Sequence, residues 1–176
     1  MLDMATIYEK GEAVRVRRAS EADGEAVRAI RNHAVATSTA LWTQTRQTPA
    51  DARAWLAPHL ARGSALVAEA GGEVVGFAVY GPWRPLDGYR DTVENSVYVR
   101  EGSQGLGIGG ALLSALIDAA RDAGHHSMIA GIESGNAASV RLHERFGFTE
   151  VGRVPEAGRK FGKWFDLTLM QLLLRD

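Results

Sequence analysis

The sequence predicts a single α/β domain, and three observations carry that reading. Short apolar runs of strand length alternate with longer segments whose apolar residues recur at helical spacing. Helix starts are spelled at Ser20 and at Thr48-Pro49, and glycine stops follow at Gly124 and Gly147. No linker, low-complexity tract or internal repeat divides the 176 residues, a length that one hydrophobic core can serve.

Taken in order, residues 1–12 are expected to be a flexible lead-in and residues 13–176 the domain. Val14 to Arg18 alternates as a first strand. Ser20 with Asp23 three residues on opens a helix carrying Val27 and Ile30 and ending near Ala36. A polar stretch from Thr37 to Gln47 holds Trp42. Thr48 then caps a helix with Pro49 in its first turn and with Trp55 and Leu56 further along. Ser64–Ala70 and Glu73–Tyr80 are apolar runs split by Gly71-Gly72, the mark of a hairpin. Past a turn-rich loop from Gly81 to Gly88 comes a strand in which Val93, Val97 and Val99 share one face and Glu94, Ser96 and Tyr98 the other.

A glycine-dense turn and an apolar helix through Leu112, Leu113, Leu116 and Ile117 follow that strand. Ser127–Ile132 reads as a short buried strand and Asn136–Arg145 as a helix. From Phe148 onward strand-like content is interrupted by Pro155, Gly158 and Gly162, with a last strand expected over Asp166–Leu174.

Composition excludes several classes. The net charge is −1 and the pI about 6.5, without the basic excess that a nucleic-acid or anionic-membrane surface requires. The chain has no cysteine, so disulfides, thiolate nucleophiles and cysteine-bound metals are out. His125-His126 is a poor metal site because adjacent strand side chains point apart, and no metal is expected. With neither a secretory signal nor a membrane-length apolar run, the expected address is cytoplasmic.

The chemistry concentrates in the strand, glycine loop and helix start between Glu94 and Gly110. Gly102, Gly105, Gly107, Gly109 and Gly110 fall within nine positions. Glycines let backbone approach a ligand closely, and the free N–H groups of a helix N-terminus attract anionic oxygen. A phosphate-bearing cofactor is therefore expected here, with Glu94 close by. The loop lies past mid-chain and lacks a following Lys-Ser/Thr, so it is neither a dinucleotide-binding loop after a first strand nor a Walker loop.

Gln104-Gly-Leu-Gly-Ile-Gly109 resembles the Q/R-x-x-G-x-G/A signature of the GNAT N-acetyltransferases, and Asn136-Ala-Ala-Ser-Val-Arg-Leu-His-Glu-Arg-Phe-Gly-Phe148 looks like that family's downstream motif. Within the family, Tyr80-Gly-Pro-Trp-Arg-Pro85, Thr92–Val99, Ile132–Ser139 and Gly158–Asp166 look like the phosphinothricin and methionine sulfoximine acetyltransferases. Thr39-Ala-Leu-Trp42 and Glu133-Ser-Gly-Asn136 lean toward the methionine sulfoximine/methionine sulfone branch. The likeness runs from Val14 to Leu174.

That resemblance implies a GNAT fold, a mixed and mostly antiparallel sheet flanked by helices, and acetyl-CoA as co-substrate. It implies cofactor contacts from Val97, Tyr98 and Val99, from Gln104, Gly105, Leu106, Gly107, Ile108, Gly109 and Gly110, and from Asn136 and Arg145. An amine must be neutral to attack, so a base is needed; Glu94 suits that role, directly or through water, and the resemblance assigns it the same role. His143 stands where many members carry a Tyr that protonates the thiolate, leaving it catalytic, substrate-positioning or structural. Arg84 suits an acceptor carboxylate, with Pro85, Leu86, Glu94, Asn95 and Ser96 bordering the same small-molecule pocket and Trp42 a further lining candidate. Members of this branch are homodimers, which the resemblance extends to this chain. Acceptors left open are phosphinothricin, a peptide N-terminus, a polyamine or an aminoglycoside; a non-catalytic acetyl-CoA sensor is the alternative outside enzymes.

Overall fold

A computed structural model describes residues 7–9 and 12–174. Most of the expected lead-in lies outside the described residues; its described part, β1 (Ile7–Glu9), pairs antiparallel with the start of β2 (Glu12–Arg18). The chain continues through α1 (Gly24–Thr37), α2 (Pro49–Arg62), β3 (Ala65–Ala70), β4 (Glu73–Pro82) and β5 (Thr92–Val99). It closes with α3 (Ile108–Asp122), β6 (Ser127–Glu133), α4 (Ala137–Arg145), β7 (Thr149–Lys160) and β8 (Lys163–Leu173). One sheet takes all the strands in the order β1-β2-β3-β4-β5-β6-β8-β7. Among the described residues only β5 and β6 run parallel; the other pairs are antiparallel.

The local signals act largely as the sequence spells them. Thr48 and Asp51 form a reciprocal capping box, with Pro49 opening α2 and Gly63 closing it in the left-handed region. Gly71 and Gly72 both have positive φ, the geometry a two-residue hairpin turn demands. At Ser20 the chain makes a 3-10 turn before α1, because Asp23 is drawn to Arg17 through paired 2.8 Å hydrogen bonds. The Arg17 guanidinium holds the Asp23 carboxyl below its ordinary pKa.

The C-terminal third departs most from expectation. β7 runs unbroken past Pro155 and Gly158 because its register shifts between Val154 and Gly158, looping residues 155–157 off the ladder. The displaced Glu156 sits at φ 49, and its N–H donates to Asp166 Oδ1 at 2.8 Å. β8 accordingly begins at Lys163, three residues ahead of Asp166.

Strand alternation divides the core between the two faces of the sheet. Leu66 and Ala68 face α3, where Leu112, Leu113 and Leu116 are fully buried; Ala65 and Val67 face α1 and α2 with Val27, Ile30, Leu56 and Phe77. On β5, Val93, Val97 and Val99 belong to the α3 side and Tyr98 to the α1 side. Among the described residues no helix is long and apolar enough to cross a membrane.

The sheet opens at one place. β5 and β6 pair only from Thr92–Ser127 to Glu94–Ile129. Beyond that point β5 stays on β4 while β6 stays on β8. The Thr92 carbonyl accepts from Trp83, and the Arg100 N–H donates to Val75, both on the β4 side. By the two-residue period, the backbone groups of Asn95, Val97 and Val99 therefore face the gap.

Candidate active site

A cleft of about 570 Å³ occupies that gap. It is walled by the free edge of β5, by Ala130–Glu133 of β6, by the start of α3, and by Asn136, Ser139, Leu142, His143 and Arg145. Of the residues expected to hold the cofactor, all but Leu106 line it; Leu106 turns its side chain onto the core. Gly102, Gly105 and Gly107 sit at φ 81, 79 and 77, a region costly for residues with a β-carbon. Gln104 Oε1 accepts from the Gly102 N–H at 2.8 Å and braces the turn. No side chain caps α3 and its first turn carries no acid, so its leading N–H groups are available to an anion. This arrangement fits the pyrophosphate and pantetheine arm of acetyl-CoA. Asn136 Oδ1 caps α4 by accepting from Ser139 N–H at 3.1 Å, which fixes the far wall.

A second cavity, also about 570 Å³, reaches the same strand from the α1 face. It lies among Ile30, His33, Ala34 and Thr37 and shares Ala40, Val97–Val99, Gln104 and Asn136 with the first. His33 Nε2 and Glu101 Oε2, 3.0 Å apart, link α1 to the start of the glycine loop.

Glu94 marks the vertex where the strands part. It leaves β5 on the α1 side, and a β-carbon added at Gly131 would lie 3.0 Å from its Oε1. The side chain reaches solvent, yet surrounding protein raises its pKa by desolvation while Arg84 pulls it the other way. Arg90 pairs with Asp91 instead. Arg84 rests on the Trp83 ring at 4.7 Å; it, Pro85 and Leu86 are all exposed. Ser96 follows Glu94's parity along the strand and also lines the cleft.

Asn95 stands apart from these acceptor-side candidates. It is buried on the opposite face, where its Nδ2 donates to the Ile129 carbonyl at 3.2 Å and its Oδ1 lies 3.1 Å from His143 Nε2. His143 is 4% exposed, its Nδ1 is 2.8 Å from the Ser139 carbonyl, and Phe148 covers the ring edge-on. Burial lowers its pKa.

Trp42 does not line either cavity. It stacks on Phe165 at 6.4 Å and lies so close over Gly158 that a β-carbon there would overlap the indole. Two further residues near the site went unflagged in the sequence. Glu133 accepts from the Gly135 N–H at 2.6 Å and from the Thr39 hydroxyl at 3.1 Å. Lys160, 1% exposed, donates to the Ser38 carbonyl at 2.6 Å. Both tie the α1–α2 loop to the far half of the sheet. Glu133 and Lys160 stand in the quoted motifs, but a strand broken by proline and glycine gave no sign of the lysine's burial. His125 packs edge-on to Tyr80, with ring centroids 5.3 Å apart, and among the described residues no group of His, Asp and Glu is placed to hold a metal.

Residues 27–148 match the acetyltransferase (GNAT) family. The chain is 49% identical over 161 residues to the L-methionine sulfoximine/L-methionine sulfone acetyltransferase of Pseudomonas aeruginosa, covering 90% of this chain and 94% of that one. It is 40% identical over 158 residues to the phosphinothricin N-acetyltransferase of Streptomyces viridochromogenes, covering 90% and 86%. The fold superposes with a TM-score of 0.90 and 48% identity on the Salmonella typhimurium protein yncA, solved with its cofactor acetyl-CoA, over 93% of this chain and 95% of that one. A glycine loop at the start of α3, a strand edge left unpaired beside it, and these likenesses over almost the whole chain converge: it belongs to the GNAT family and is an acetyl-CoA-dependent N-acetyltransferase.

Proposed function

We propose that the chain moves the acetyl group of acetyl-CoA to the α-amine of a small amino-acid analogue, L-methionine sulfoximine or L-methionine sulfone being the favoured acceptor. The observation that carries this reading is Glu94 at the vertex of the splay, sharing a strand face with the cleft-lining Ser96 and close enough to Arg84 to feel its charge. The likeness to the Pseudomonas aeruginosa acetyltransferase supports the choice of acceptor.

In this reading the N-terminus of α3 and the loop from Gln104 to Gly110 hold the pyrophosphate, with Asn136 and Arg145 on the opposite wall. Backbone N–H groups at the free edge, on Val97 or Val99, donate to the thioester oxygen and stabilise the charge that develops there. Arg84 holds the acceptor carboxylate, with Pro85 and Leu86 shaping its loop. Glu94 takes the proton that the amine must lose, directly or through one water. Its raised pKa brings the carboxylate nearer the working pH, where a general base is most effective. The C–N bond forms as the C–S bond breaks with its electron pair on sulfur, and His143 faces the cleft where that charge appears.

A cytoplasmic homodimer completes the proposal. Val151, Val154, Phe161 and Trp164 of the C-terminal hairpin are 44–58% exposed, an apolar surface suited to a second copy. Size-exclusion chromatography with light scattering tests that part.

Phosphinothricin is the second reading, supported by the Streptomyces likeness. The deciding experiment measures coenzyme A release with methionine sulfoximine, methionine sulfone and phosphinothricin, compared by kcat/KM. The sulfoximine and sulfone are expected to lead. Higher kcat/KM for phosphinothricin would transfer the assignment, and release only with peptide or polyamine acceptors would overturn it.

A further inference from the structure

His143 is wedged between groups that its neutral ring cannot satisfy together. A backbone carbonyl only accepts, so Nδ1, at 2.8 Å from Ser139 O, carries a proton. In a neutral ring Nε2 is then a lone pair, and it faces Asn95 Oδ1, also an acceptor, at 3.1 Å. Turning the amide over only moves the mismatch, because its oxygen would then oppose the Ile129 carbonyl that Nδ2 now reaches at 3.2 Å. Every contact is satisfied at once only when both ring nitrogens carry protons.

We propose that Asn95 is a positioning residue that keeps His143 doubly protonated, setting a positive charge in the cofactor cleft beside the free edge of β5. Asn95 is suited to this because Ile129 is the last β6 residue paired with β5, so its carbonyl orients the amide from a fixed part of the sheet. No ionised side chain does the job instead. Among the described residues around the ring, Glu144 and Arg145 of α4 are exposed, Phe148 is apolar, and Glu94 leaves β5 on the other face. Burial pushes the ring's pKa down and the Ser139 carbonyl offsets this only in part, so the second proton depends on the Asn95 Oδ1 contact.

The consequence for catalysis rests on the acetyl-transfer reading. The amine's proton goes to Glu94, the C–N bond forms, and the C–S bond breaks with its pair on sulfur. The imidazolium offsets the thiolate charge without giving up its Nε2 proton to it. Activity then falls at low pH as Glu94 protonates and at high pH as His143 loses its second proton.

Nitrogen-15 spectra of the histidine ring, titrated in the free enzyme, test the proposal without any acceptor. The His143 pKa is expected to fall by about one unit or more in Asn95→Leu and to rise in Asn95→Asp. The alkaline limb of kcat should move in the same order, with the KM for acetyl-CoA little changed. An unchanged His143 pKa in Asn95→Leu overturns the idea, as does an activity loss equal at every pH. Coenzyme A release by the unaltered enzyme with methionine sulfoximine tests the acetyl-transfer reading separately, since the ring titration does not depend on it. If Asn95→Leu fails to fold, the direction of the Asn95→Asp shift decides alone.

Discussion

On the face of β5 turned to α3 and α4, a ligand meets mostly backbone: the free edge at Val97 and Val99, the positive-φ glycines, and the first turn of α3. On the face turned to α1 and α2 the proposed acceptor would meet side chains brought from separate segments: Glu94 and Ser96 from β5, Arg84 from the β4–β5 loop, and the α1–α2 loop held by Glu133 and Lys160. A backbone site needs one short run of residues with the right torsions and tolerates little change. A side-chain site can be altered one residue at a time while the cofactor site stays intact. Such a division allows close relatives to share acetyl-CoA and differ in acceptor.

If the division holds, Glu94→Gln should strike turnover alone. Loss of a general base lowers kcat by about 10²–10⁴-fold, with the fold and acetyl-CoA affinity unchanged by circular dichroism and calorimetry. The acid limb of the kcat/KM profile should vanish with it; in the unaltered enzyme that limb is expected above the ordinary Glu value, because desolvation raises this carboxyl. The same sign governs stability. Folding favours the protonated form, so the stabilisation is full at low pH and is lost as pH rises through the elevated pKa, and the Gln variant should unfold no earlier at neutral pH. Near-normal kcat across the pH range would remove Glu94 as the base.

Gly107→Val probes the other face. Gly107 caps α3 at φ 77, where a β-branched residue strains the backbone by about 1–3 kcal/mol. If the loop shifts to relieve that strain, acetyl-CoA binding weakens by about 5- to 150-fold, with the acceptor KM largely unmoved. Calorimetry and two-substrate kinetics separate the two. A variant that lost acceptor affinity instead would break the comparison.

The same contrast explains what could be read in advance. The glycine loop, α3 and the Asn136 cap are contiguous, so their torsional demands appear as spelling, and all but Leu106 of the expected cofactor residues meet in one cleft. The capping box at Thr48 and the Gly71-Gly72 turn were legible for the same local reason. Asn95 was expected beside the acceptor, but strand parity carries it to the opposite face, where it meets His143. Trp42, Glu133 and Lys160 depend on contacts spanning many residues, such as 122 between Ser38 and Lys160 and 123 between Trp42 and Phe165. The bulge between Val154 and Gly158 disguised the strand that brings the lysine there. Such contacts have no local signature.

Arg84→Ala should act on the acceptor side only. Loss of a charge-assisted hydrogen bond to a carboxylate costs about 1.5–3 kcal/mol, so the acceptor KM should rise about tenfold or more while acetyl-CoA affinity holds. Removing this cation also removes what counteracts desolvation at Glu94, so the acid limb should move to higher pH. A raised KM with a stationary limb would leave Arg84 as an acceptor contact that does not act on the base.

Lys160→Met should give the smallest effect and the most specific one. Among the described residues the ammonium has no carboxylate partner; it donates to Ser38, which ends α1, and lies 4.8 Å from the centre of the Phe161 ring. The negative end of the α1 dipole favours a cation there, but desolvation lowers the lysine's pKa. Because folding disfavours the charged form, this residue's destabilising contribution fades as pH climbs from its lowered folded pKa toward its unfolded value. Methionine removes that penalty and the tether together. The melting temperature at neutral pH should therefore hold or rise by about a few degrees, while the freed α1–α2 loop raises the acceptor KM a few-fold and leaves the cofactor Kd alone. A fall in stability would make Lys160 a net structural support. An unchanged acceptor KM would show that the loop needs only Glu133 and Trp42 to stay in place.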